Sequence, residues 1–113
     1  MDPLARHKMI AQVQVERERL MPQHAEATRT TIDMLRAGTG HDRDPHVVPY
    51  VNLAYLLGVK NTYGEDELMA LALSVANWAT TAINDLARNT GRTPQQIIDR
   101  YETDVIAVEQ GLD

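Results

Sequence analysis

The sequence predicts an all-α fold, a compact bundle of four to five helices in which the first two could form one long kinked helix. Three observations carry this. Apolar residues recur at helical spacing, with no strand-like alternation beside them. Proline and glycine fall where helices begin and end, as at Asp2-Pro3, Gly91 and Thr93-Pro94. A chain of 113 residues that is 43% hydrophobic can bury a core without disulfides or metal. Residues 1–113 are read as a single helical domain.

The first helix is expected over about 2–20. Asp2 caps it and Pro3 takes the first helical position, where a missing amide hydrogen costs nothing. Its apolar stripe is thin, with Met9 or Ile10, Val13 and Leu20, and the run "ERER" at 16–19 reads as solvated. Pro22 disfavours helical geometry at Met21, so a break or kink is expected there. The second helix, about 23–37, sets Ala25, Thr28, Ile32 and Leu35 on one face and ends at Gly38 and Gly40. These spacings continue the register of Val13 and Met21, which keeps the single kinked helix open.

After a loop at 38–48, Pro49 starts a helix over about 49–57 with Gly58 as its terminator, and "NTYG" at 61–64 forms a turn. This helix is apolar on nearly every side, so burial on several sides is expected, in its own core or in an oligomer. The next helix, about 65–89, opens on Glu65, Asp66 and Glu67, which the helix dipole favours. Leu68, Ala72, Val75, Ala79, Ile83 and Leu86 share one face, with Ser74, Asn77, Thr81, Asn84, Asp85 and Arg88 opposite. Leu71 and Trp78 widen the apolar side. The last helix, about 94–110, begins at a capping box, Thr93 with Gln96, and carries Ile97, Tyr101, Val105 and Val108 as its inner stripe.

Composition excludes several functions. The chain has no cysteine, so disulfide scaffolds, thiolate catalysis and cysteine-ligated zinc are out. The N-terminus lacks the apolar run of a signal peptide, and the longest apolar run, the 13 residues at 47–59, is too short to span a bilayer. A soluble, cytoplasmic protein is expected, with no membrane association. Net charge is −5, with seven Lys/Arg against six Asp/Glu in residues 1–43 and four against ten in 44–113. The acidic part would be repelled by phosphate backbones, which argues against nucleic acid as a partner.

The densest chemistry lies in "GHDRDPH", residues 40–46, where His41, Asp42, Asp44 and His46 are all possible metal ligands and His24 could join them. Gly40 and Pro45 favour a turn over a rigid ligand platform. Helical HD-type phosphohydrolases set a histidine, a His-Asp pair and a distal aspartate on helices. Here His24, His41-Asp42 and Asp85 or Asp99 could be lined up, but the pair falls in a loop and the chain is short. All-α nucleotide pyrophosphohydrolases need converging helical carboxylates, whereas Asp99 and Glu102 fall on the outer side of the last helix. The lone serine, Ser74, has no histidine nearby in sequence, and no glycine-rich phosphate loop occurs.

The leading expectation is therefore a non-enzymatic helical protein that acts by protein contact: an adaptor, a regulator or inhibitor of a partner, or a homo-oligomeric module. Leu71, Trp78, Tyr50 and Tyr55 are its candidate interaction residues, and no cofactor is expected. The alternative is a metal-dependent hydrolase of nucleotide or phosphate esters built on the His41-Asp42 region.

Overall fold

The computed structural model describes residues 2–39 and 46–111. The fold is an all-α bundle. Its helices are α1 (Pro3–Leu20), α2 (His24–Gly38), α3 (Val48–Tyr63), α4 (Glu65–Thr90) and α5 (Pro94–Glu109). The chain divides into two compact units, Met1–Val75 and Ala76–Asp113, with α4 crossing the division.

In the first unit, Asp2 caps α1 as its spacing predicts: its carboxylate accepts the amide of Ala5 at 2.8 Å. Pro22 neither ends the helix nor leaves it regular. Met21–Gln23 tighten into a 3-10 turn, and helical geometry resumes at once in α2. The kinked-helix alternative is thus the arrangement found. A 3-10 turn shifts the hydrogen-bond pattern by one residue and so absorbs the missing proline donor.

A correction concerns the face of α2. The buried residues are Ala27, Thr31 and Met34, rather than the row of Ala25, Thr28, Ile32 and Leu35. Ala27, Thr31 and Met34 follow Leu20 by seven, eleven and fourteen residues, so the buried face of α2 runs on from Leu20 at regular helical spacing. Leu20, Ala27 and Ala70 form the buried apolar centre of this unit.

The α4 segment in this unit buries Ala70, Leu71 and Ser74, while Ala72 of the expected row is exposed. Ser74, expected on the polar side, is inside because α2 offers it a partner. The Thr31 hydroxyl donates to the Ala27 carbonyl at 2.8 Å, and the Ser74 and Thr31 hydroxyls lie 2.7 Å apart. With Thr31's proton committed to the carbonyl, Ser74 donates to Thr31. A hydroxyl satisfied in this way carries little burial penalty. At the other end of α4, Arg19 of α1 donates to the carboxylate of Asp66 and, at 2.9 Å through Nε, to Glu16. Asp66 first and Glu16 second hold its guanidinium proton more firmly than usual.

A second correction concerns α3, which does not stop at Gly58. It runs on through "NTY" to Tyr63, and Gly64 is the terminator, with φ +98° and its amide on the carbonyls of Lys60 and Val59. Glycine inside a helix costs only about 1 kcal/mol relative to alanine, less than the hydrogen bonds lost by stopping there. Only the positive φ at Gly64 requires glycine. α3 packs on α2. Close packing at that junction leaves a Cβ on Gly38 only 3.6 Å from Val48.

In the second unit, the remainder of α4 turns at Gly91, with φ +68°, and the amide of Arg92 reaches the carbonyl of Ala87 at 3.1 Å. The capping box is complete: Thr93 accepts the Gln96 amide at 3.2 Å, and the Gln96 side chain accepts the Thr93 amide at 2.9 Å. Among its described residues, Ala87 and Ile97 are the buried ones. A third correction follows, because Tyr101, Val105 and Val108, read as an inner stripe with Ile97, are exposed. Ile97 lies in the first turn of α5, next to the junction with α4, and the later rows are exposed.

Candidate interaction surface

α3 is apolar around its circumference, but α2 covers only one side of it. Val51, Tyr55 and Val59, spaced by four, are half-buried. Tyr50, Leu53, Ala54 and Leu57 recur at intervals of three and four, share the other side and are exposed; Tyr50 reaches 75%. No residue of α3 is fully buried. The expectation that an all-round apolar helix buries several sides is therefore not met within the unit. What remains is a contiguous apolar face that carries no charge along Tyr50, Leu53, Ala54 and Leu57.

The four candidate interaction residues separate. Tyr50 lies on this outer face, and Tyr55 turns toward α2 and lines an open groove of about 460 Å³ with Thr30, Asp33 and Val59. Leu71 is 1% exposed and belongs to the core, so a partner has no access to it. Trp78 is 42% exposed on α4. Sequence reasoning missed Leu53 and Leu57. The signal was present in the length of α3: sixteen residues with apolar groups on every side exceed what one neighbouring helix can cover.

Further apolar residues are exposed on α1 (Leu4, Met9, Ile10 and Val13) and on α5 (Ile98, Tyr101, Val105 and Val108). A cleft of about 420 Å³ between α2, α3 and the start of α4 has Ala27, Val59 and Leu71 on its apolar side, with Glu26, Glu67 and Tyr63 around it. Glu26 is paired with Arg29 at 3.7 Å, and neither a histidine nor a serine lines the cleft.

His41, Asp42 and Asp44 lie outside the described residues. His46 is exposed in the turn before α3, and His24 is exposed at the first position of α2, where its carbonyl accepts the Thr28 hydroxyl at 2.9 Å. Among the described residues, no three histidine or acidic side chains are grouped to hold a metal ion. None of the described helices is long and apolar enough to cross a membrane.

No family model matches the chain, and no curated protein or solved structure matches it.

Proposed function

We propose that this chain is a non-enzymatic helical module that works by protein–protein contact, as an adaptor, a regulator of a partner or a self-associating unit. The observation that carries the reading is the outer face of α3. Tyr50, Leu53, Ala54 and Leu57 hold an uncharged apolar strip in water on a well-formed helix. Contiguous exposed apolar patches of this kind mark interaction sites on folded proteins. An exposed tyrosine at one end suits the role, since tyrosine pairs apolar area with a polar tip and is enriched at interface centres. The face would take an apolar helix or groove on its partner.

The test is Leu53→Asp together with Leu57→Asp, read by light scattering across a dilution series and by capture from extracts of the native host. Both positions face water, so helicity by circular dichroism should hold. Association or partner capture should fall by at least about tenfold, since burying an unpaired carboxylate at an interface costs several kcal/mol. A wild-type chain that stays monomeric and captures nothing would end the reading, as would a double variant that associates like wild type.

A further inference from the structure

We propose that the groove between α2 and α3 binds a linear aliphatic polyamine, a methylene chain with an ammonium group at each end. The site lies wholly within the first unit and goes beyond the protein-contact reading, on which it does not depend.

The groove has two openings that share Thr30, Val59 and Tyr63. One, of about 420 Å³, has Ala27, Val59 and Leu71 as its apolar floor and adds Glu26 and Glu67. The other, of about 460 Å³, adds Asp33 and Tyr55. Each has the size of a small-molecule site.

Helical spacing sets out the charges. Glu26, Thr30 and Asp33 follow one another by four and three residues and so share a face of α2. Seven residues of helix separate the two carboxylates by about 10 Å along the axis. Tyr55, Val59 and Tyr63 come from α3 at intervals of four and line the same groove. Each opening therefore has a carboxylate and a tyrosine, and Thr30 and Val59 belong to both.

Among the described residues, no lysine, arginine or histidine lines either opening. Glu67 is half-buried, and neither it nor Asp33 has an ion-pair partner among those residues. Arg29 lies 3.7 Å from Glu26 with both side chains largely in water, and such a surface pair is weak enough to give way. Arg36 and Lys60, on the same two helices, line neither opening.

Three features select the occupant. Carboxylates and tyrosine faces both attract ammonium groups. The apolar floor favours methylenes over a hydrated ion. The distance between the carboxylates calls for cations at two separated points, and the Thr30 hydroxyl between them can accept from a third. Extended spermidine spans about that distance with this pattern of charges. A single basic side chain from a partner protein would satisfy one opening only. A metal ion needs ligands drawn together, and no three acidic or histidine side chains are so grouped among the described residues.

Titration calorimetry of the full-length chain with spermidine tests this, at physiological salt so that loosely held ions are screened. Glu67→Gln and Asp33→Asn remove one charge from each opening without changing shape, and circular dichroism checks that both variants fold. Wild type should bind one spermidine, and each variant should bind it at least about tenfold more weakly. Putrescine, too short to reach both openings, should also bind at least about tenfold more weakly than spermidine. The proposal is overturned by no binding to wild type, by either variant binding like wild type, or by putrescine binding as tightly as spermidine. Displacement of spermidine by an equal concentration of magnesium would show attraction by diffuse charge and overturn it too. The readout is ligand affinity rather than association, so this site and the α3 contact can fail separately.

Discussion

At the residue scale, the most informative pair is Thr31 and Ser74, a buried hydrogen bond that joins α2 to α4. Its polarity gives the two positions unequal costs. Thr31→Val removes the acceptor of the Ser74 proton and strands a buried hydroxyl, which costs about 1–3 kcal/mol. Ser74→Ala leaves Thr31 donating to the Ala27 carbonyl and costs about 0.5–1.5 kcal/mol, the ordinary value of one hydrogen bond. Urea unfolding of the two single variants and the double variant should give that order, with the double costing less than the sum. The reverse order of single costs would mean the opposite donor direction. Leu71 and Trp78 make a second contrast along α4. Leu71→Ala should lose about 2–5 kcal/mol, as for a fully buried leucine. Trp78→Asp should leave helicity intact, because the ring is 42% exposed. Loss of helicity in Trp78→Asp would return the tryptophan to the core.

At the element scale, α3 shows how a helix terminus is chosen. Two glycines six residues apart both look like stops in the sequence, and only Gly64 adopts a positive φ. Gly58 sits within the helix, and a Cβ there would meet nothing within 4 Å. Gly58→Ala should therefore stabilise the protein by roughly 0.5–1 kcal/mol, by restricting the unfolded chain and favouring the helix. Gly64→Ala should destabilise it by roughly 1–3 kcal/mol, because an L-residue is strained at φ +98°. Opposite shifts in thermal midpoint check the assignment, and shifts of the same sign would refute it. The remaining helix boundaries follow local chemistry that the sequence displays openly: Asp2 on the Ala5 amide, the acidic opening of α4, and the Thr93–Gln96 box.

At the scale of the whole molecule, the apolar residues outnumber the places to bury them. In the first unit α2 covers one side of α3 and leaves Tyr50, Leu53 and Leu57 in water. In the second unit Ile97 is covered while Tyr101, Val105 and Val108 are not. Contiguous exposed apolar strips mark interaction sites or are aggregation liabilities.

The sequence by itself determined the fold class, the start of every helix to within about a residue, and the ends of all but α3. These depend on caps, prolines and glycines that act within a few residues of themselves. It also made the apolar surplus visible, in the all-round apolar run at 47–59. Tertiary structure decided which side of each helix faces inward. A helical wheel ranks faces by average hydrophobicity, but burial is a property of pairs. Ser74 goes inside because Thr31 stands opposite it, Leu71 becomes core rather than contact, and the rows of α5 beyond Ile97 are exposed. The face of α2 that goes inside, Ala27, Thr31 and Met34, is likewise the one that meets Leu20 and Ser74. The candidate surface was thus legible in outline as surplus apolar area. Its residues could be named only once the covered sides were known.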